Sequence, residues 1–475
     1  MENQATENRT QERRVRRYGR LVPAAVAGCA ALGTVLMLLP PEPPATRAPA
    51  PAPGAQALTA VAAGVPAALP DLAALIGERE SHLRRHPRDA ESWAVLGTAY
   101  VEQGRRTAET AFYPKADTAL RTSLKVRRSA EALGALAALA NARRDFRTAR
   151  AWGEAARTLE PKRWTTYPQL IDAYTGLGDY KAAGRALERL TELRSGPAVM
   201  ARTAAVYRDR GRREDAAAQL ADAAARAGAP AERAACLERA GQLAWERGDR
   251  EAALRYFQEA VRIDPDQRAA QSGQGRVLAA LGRTAEALNA YRTALAKQPL
   301  PQYALELGEL YESLGLGRAA RVQYDLLRAR VRAATAAGAD EELVLGQFEA
   351  DHGDPAAAVR RLGAEWRRQP GIAVADALGW ALHRAGEDEQ ALRYARIATD
   401  RVHGGGVRSA LYAYHLGMIE RGTRRYAPAR RHLQEALRTN PWFSPLLVRS
   451  ARQELAALGD VPDGGVPVLD AGASR

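Results

Sequence analysis

Apolar residues recur three and four positions apart on both sides of short breaks along this chain, as in Leu305, Leu307, Leu310, Tyr311 and Leu314 ahead of Gly315. That spacing puts them on one face of a helix, so the sequence predicts pairs of short antiparallel helices. No run of alternating β-branched residues predicts a strand. The unit is about 34 residues long and recurs roughly ten times between Glu91 and Pro441. Breaks between the two helices of a unit are expected at Gly104, Gly178, Gly211, Gly248, Gly282, Gly315, Gly353 and Gly386, with Arg144 and Arg424 at equivalent places. Glycine there can take the left-handed geometry that ends a helix. At a constant distance beyond five of these breaks stand Pro161, Pro265, Pro299, Pro370 and Pro441, which are expected to start the following helix.

A single hairpin cannot bury both of its faces, so neighbouring units must stack. Gly97, Gly241, Gly275, Gly308, Gly346, Gly379 and Gly417 fall where the first helix of a unit is crossed closely by the second. Ala253, Ala287, Ala320, Ala358, Ala391 and Ala429 fall at the matching place on the second helix. Extra residues around Thr107 to Phe112, Gly228, Gly338 and Gly404 to Gly406 are expected in loops. Leu72, Leu75, Ile76 and Leu83 ahead of Pro87 predict a lone leading helix. Pro445 to Leu458 predicts a closing helix that shields the last unit with Leu446, Leu447, Leu455 and Leu458.

The fullest first half of a unit is Trp93, Leu96, Gly97 and Tyr100, and the fullest second half is Ala253, Phe257, Ala260 and Pro265, echoed by Ala287, Tyr291, Ala294 and Pro299. These residues resemble the tetratricopeptide repeat family, and the resemblance covers about four-fifths of the chain. It implies an all-α solenoid of about ten helix hairpins in a right-handed superhelix, whose concave groove holds a protein or peptide. Projecting the repeat onto this chain puts Trp245, Arg276, Glu309, Trp380, His383, Tyr414 and Arg421 in that groove, beside Asp172, Arg208, Gln242, Glu312, Gln347 and Met418. Trp245 and Trp380 are the expected anchors, since tryptophan and arginine dominate binding hot spots. Family members that clamp chaperone tails use Lys and Asn on consecutive first helices, whereas Glu238, Ser272 and Leu305 stand at the candidate places here. The segments Ala377 to Leu382, His415 to Glu420 and Asn440 to Pro445 resemble the end of membrane-anchored tetratricopeptide proteins of actinobacteria.

The amino terminus adds a separate signal. Residues 1–20 read as a basic tail carrying Arg9, Arg13, Arg14, Arg16, Arg17 and Arg20, and residues 21–39 are uncharged and mostly apolar. As a helix that stretch rises about 28 Å, near the hydrocarbon thickness of a bilayer. A single-pass anchor in the cell membrane is expected, with the amino terminus cytoplasmic and the solenoid outside. The alternatives are a cleaved signal with secretion, or acylation at Cys29 within Val26-Ala27-Gly28-Cys29. Residues 40–70 are rich in Pro and Ala and read as an extended tether, 71–458 as the solenoid, and 459–475 as a disordered tail.

Composition changes the picture little. Hydrophobic residues make up 46% and aromatics 6% of the 475 residues, so the core is built from Ala and Leu in helices. The net charge of +14 comes mostly from arginine; Lys115, Lys125, Lys162, Lys181 and Lys297 are the five lysines. The arginines are interspersed with acids instead of forming a stripe with interleaved aromatics, which argues against nucleic acid. Cys29 and Cys236 exclude a disulfide framework. His82 and His86 lack a third ligand, Asp351 to Asp354 coincide with an expected turn, and Gly273 to Gly275 lack the context of a phosphate loop. No metal, cofactor or enzymatic activity is expected. The reading is a membrane-tethered protein-binding scaffold of the bacterial envelope, with an export or polymer-handling accessory as the alternative.

Overall fold

The computed structural model describes residues 52–400 and 406–459. Within them lie 23 helices and no strand. A leading pair, α1 (Pro53–Ala62) and α2 (Leu69–Arg85), precedes ten hairpins. These are α3 (Ala90–Thr107) with α4 (Phe112–Val126), α5 (Ala130–Ala142) with α6 (Phe146–Leu159), and α7 (Thr166–Gly176) with α8 (Tyr180–Leu193). Next come α9 (Pro197–Asp209) with α10 (Arg213–Arg226), α11 (Pro230–Glu246) with α12 (Arg250–Ile263), and α13 (Arg268–Ala280) with α14 (Thr284–Lys297). The last four are α15 (Pro301–Ser313) with α16 (Gly317–Ala336), α17 (Glu342–His352) with α18 (Pro355–Arg368), α19 (Ile372–Arg384) with α20 (Asp388–Thr399), and α21 (Ala410–Gly422) with α22 (Tyr426–Thr439). Helix α23 (Leu447–Ala457) closes the series.

Local chemistry fixes where these helices begin. Asp89, Ser129, Asp145, Asp179, Asp249, Asp354 and Ser409 each accept main-chain N–H groups of the first turn that follows, satisfying donors that a helix start leaves unpaired. The two helices of a hairpin then meet over very small residues. A Cβ on Gly275 would lie 2.5 Å from the Tyr291 ring, and one on Gly417 would lie 2.9 Å from Leu433. Ala253, Ala287, Ala358, Ala391 and Ala429 are wholly buried opposite. Close approach of two backbones is therefore built into both helices of the unit.

Four expectations need correction. The extended tether expected through residue 70 gives way to α1, whose Ala57, Ala60 and Val61 are buried with Leu72 and Leu75 of α2 and Ala99 of α3. Small residues let that Pro- and Ala-rich segment pack where no large side chain is available. Gly104 is not a turn: it lies inside α3, against Tyr113, and the positive φ falls on Ala108 because the added residues after Thr107 move the break. Gly353 keeps a negative φ of −137°, since its break holds two residues, Gly353 and Asp354, before Pro355 opens α18. The five prolines end second helices instead of starting first ones; α14, for example, stops at Lys297, and Gln298 ahead of Pro299 is already extended at φ −140°, ψ 83°. A proline forces that geometry on the residue before it. Helix starts use a different set, Pro53, Pro70, Pro197, Pro230, Pro301 and Pro355.

Stacking carries the chain round until later units lie on earlier ones. The break of one hairpin meets the exit of a hairpin about five further along, over and over. Arg106 donates to Asp264 at 2.7 Å and to Ala67 O at 2.9 Å, wholly inside the protein. Gln298 donates to Arg105 O at 3.0 Å, and the Asp340 N–H to Arg143 O at 2.8 Å. The Phe146 N–H donates to Gln369 Oε1 at 2.9 Å, and the Ile372 N–H to the Tyr180 hydroxyl at 3.2 Å. Gly211, at φ 73°, presses on Gly406 O so closely that a Cβ would sit 2.5 Å from that oxygen. Asn440 donates to Trp245 O at 2.8 Å. These contacts bridge the two turns of the superhelix and enclose its interior.

Candidate functional site

The interior holds a cavity of about 1350 Å³ that opens to solvent. Its wall is drawn from first helices of both superhelical turns: Arg208 of α9, Gln242, Trp245 and Glu246 of α11, Arg276 of α13, Glu306 and Glu309 of α15, and Asp376 and Trp380 of α19. Leu411, Tyr412 and His415 of α21, and Trp442, Phe443, Leu447 and Val448 around the start of α23, complete it. Elsewhere in the interior the α1–α2 loop fills the space. Ala63 to Pro66 face Trp164, Arg202 and Arg239 across a void of about 50 Å³.

Charges on the wall are held in pairs. Arg208 meets Glu246 through two hydrogen bonds, at 2.8 and 2.7 Å, and Arg276 meets Glu306 at 2.9 Å while donating to Gln242 at 2.8 Å. Burial works against the Glu246 carboxylate, yet the Arg208 guanidinium leaves it below the usual carboxylate range. For Asp209 and Glu309 burial wins, raising both carboxyls although Arg208 lies 3.0 Å from Asp209 and His352 faces Glu309. Paired ions in a partly desolvated wall are stiff, because parting them strands a charge. They give the cavity fixed positive and negative points that a ligand meets preformed.

A second cluster sits on α19 and α21. His415 lies 3.0 Å from Asp376 and stacks on the Trp380 ring at 4.2 Å, while the Trp380 Nε1–H donates to Asp351 at 2.9 Å. Beside them burial pushes the Tyr412 phenol well above its usual range. Among the described residues no group of three His, Cys, Asp or Glu side chains is placed to hold a metal.

Of the residues expected in the groove, Trp245, Arg276, Glu309 and Trp380 line the cavity, as do Arg208, Gln242 and Gln347. His383 does not; it pairs with Asp388 at 2.5 Å. Tyr414 is buried beside Trp380 and Phe443 and donates to Ser450 at 3.1 Å, and Arg421 pairs with Glu454 of α23 at 2.7 Å. Asp172 pairs with Arg202, and Glu312 accepts from the Tyr324 hydroxyl at 2.7 Å. Trp245 and Trp380 are 6% and 4% exposed, so as anchors they offer an edge and no free face. The Asp376–His415 pair and Tyr412 escaped the sequence reading because pairing across 39 residues has no local spacing. The polar residue before four of the five exit prolines, Asp264, Gln298, Gln369 and Asn440, is a readable periodic signal for the contacts between early and late units.

The tetratricopeptide repeat family model matches residues 238–300 and 272–341, in the middle of the chain. A comparison with the curated proteins finds no match. Solved structures similar to this chain include a tetratricopeptide repeat protein from Parabacteroides merdae, 16% identical over 56% of this chain and 99% of that one, with a TM-score of 0.33. Another is a human IFIT1 dimer with PPP-AAAA, 14% identical over 77% and 87%, with a TM-score of 0.41. Yeast Tom70 is 12% identical over 76% of this chain and 95% of its own, with a TM-score of 0.32.

Proposed function

We propose that this chain is a protein-protein interaction scaffold that holds a segment of a partner polypeptide inside the cavity, and that residues 21–39 tether it to a membrane. The observation that carries the reading is the open cavity of about 1350 Å³, whose wall combines apolar side chains with fixed charge pairs. That is larger than the pocket of a drug-sized ligand and suits several side chains of an extended peptide. Tetratricopeptide repeats in the middle of the chain agree with a binding role. The tether rests on the uncharged stretch after six arginines; it lies outside the described residues, among which no helix is long and apolar enough to cross a membrane.

A photo-crosslinking side chain placed at Leu411, on the cavity wall, tests the binding reading against one at Val322, which is 63% exposed and away from the cavity. A defined adduct from Leu411 and none from Val322 is the expected result, with the partner peptide identified by mass spectrometry. Equal labelling from both, or none from Leu411, rejects it. Membrane fractionation with protease shaving of a carboxyl-terminal tag tests the tether: a soluble protein, or a protected tag, rejects anchoring with the solenoid outside.

A further inference from the structure

Arg144, Arg208 and Arg276 of the cavity wall have carboxylate partners, but Arg408, Arg449 and Arg452 have none among the described residues. Arg408, Arg449 and Arg452 line the cavity and are exposed, which places them where it opens to solvent. Arg213 and Arg247 adjoin Arg408 across the contact between Gly211 and Gly406; a Cβ on Gly211 would lie 3.9 Å from Arg408 Cγ. Arg250 stacks on the Trp442 ring at 4.1 Å and Arg452 approaches the same ring at 5.8 Å.

Few acids neutralise this group. Arg213 bonds Glu246 O at 3.2 Å, Arg452 bonds Pro441 O at 3.3 Å, and Arg250 bonds Ala280 O at 2.9 Å with Glu251 no nearer than 3.6 Å. The side chains of Arg247, Arg408 and Arg449 make no hydrogen bond or ion pair among the described residues. Like charges gathered in this way repel: burial of Arg213, with Arg408 and Arg247 near it, lowers its affinity for a proton against the opposing pull of Glu214 and Glu246. A carboxylate brought to the mouth removes that repulsion and gains charge-assisted hydrogen bonds.

We infer that the cavity's arginine mouth binds a cluster of Asp or Glu side chains in the partner, next to apolar residues that pass inward. The apolar part follows from the residues that line the cavity close in sequence to those arginines: Leu411, Phe443, Leu447 and Val448. The same cavity is also lined by the carboxylates of Glu309, Asp351 and Asp376. A nucleic-acid strand carries a phosphate at every step and would bring some of them against those acids. A peptide carries its charges only where its sequence puts them, so it satisfies both regions. The inference rests on the reading of the cavity as a polypeptide site and adds the charge pattern of the ligand.

Fluorescence anisotropy tests it on the chain with a labelled peptide in which a run of glutamates precedes leucines and alanines. The same peptide with lysines for glutamates, and a labelled oligothymidylate, serve as competing probes. Replacing Arg408, Arg449 and Arg452 together by Glu weakens the acidic peptide by on the order of tenfold or more, as loss of a steering charge cluster does. The triple replacement of Arg185, Arg255 and Arg321 by Glu makes the same change in net charge on exposed residues away from the cavity, and is expected to leave affinity within about twofold. Substituting Gln for the three mouth arginines, with thermal melts of every variant, separates lost binding from lost folding. Equal losses in both triples, tighter binding of oligothymidylate, or no binding of the acidic peptide overturns the inference. A peptide that crosslinks at Leu411 but ignores the mouth triple overturns the charge assignment and leaves the polypeptide reading standing.

Discussion

The side-chain amide of Asn440 donates to the main-chain oxygen of Trp245, 2.8 Å away and 195 residues earlier in the chain. Its own oxygen accepts the Trp442 N–H at 2.9 Å, so one buried side chain orders the approach to α23 and joins it to the end of α11. Asn440 is 2% exposed. Replacing it by Ala is expected to cost about 1–3 kcal/mol. Hydrogen exchange should quicken at Trp442 and at the end of α11 together; quickening at only one of them refutes the bridge.

Arg106 and Asp264 make the same kind of bridge with charges, at 7% and 9% side-chain exposure. Asp264→Ala strands the guanidinium, which is expected to cost about 3–5 kcal/mol. Arg106→Ala combined with Asp264→Ala should cost less than the sum of the single changes. A thermodynamic cycle that comes out additive contradicts the pairing.

Within a unit the limiting contact is steric. Gly275→Val puts its Cβ into the Tyr291 ring, and about 1–3 kcal/mol of overpacking is expected. Combining it with Tyr291→Ala should recover part of the loss, as read from thermal midpoints. A variant as stable as the parent would show that α13 and α14 separate without cost.

His352 gives the fold a pH dependence. Burial alone would lower its affinity for a proton, but Glu309, Glu312 and Asp351 outweigh it and raise the imidazole above its ordinary 6.5. Its Nδ1 is 3.2 Å from Glu312. A raised folded value means that the contribution is full below 6.5 and is lost as pH climbs through the folded value. Glu309, raised mainly by burial, acts with the same sign at its own titration. Thermal stability should therefore fall as pH rises from mildly acidic through neutral. His352→Gln should flatten that slope, and an unchanged slope counts against the assignment.

Cys236 is 2% exposed on α11, and burial pushes its thiol up to about 11. Thiolate is the reactive form, so a maleimide at neutral pH should leave Cys236 unlabelled in the folded chain and label it in denaturant. Rapid labelling in the native protein would show that α11 opens locally.

The repeated unit was legible because its determinants are local. Gly275, Ala287 and Tyr291 lie on two helices joined by one break, and their spacing along the chain fixes their meeting in space. The left-handed turn at Gly282, φ 75°, is local in the same way. Gly104 and Gly353 resembled it in sequence, but an insertion after one and a shortened break at the other moved the geometry elsewhere.

The sequence by itself determined the hairpins, their order and the glycines and alanines at their crossings, because periods of three and four and the capping chemistry of Asp and Ser act within a few residues. Only the tertiary structure decided that the breaks of the early units meet the exits of the late ones. Those meetings depend on the small rotation each unit adds to the last, and a sum of many such rotations is not written at any one position. From that sum come the cavity, the placing of Trp380 against His415, and the sharing of one cavity lining by Arg408, Arg449 and Arg452.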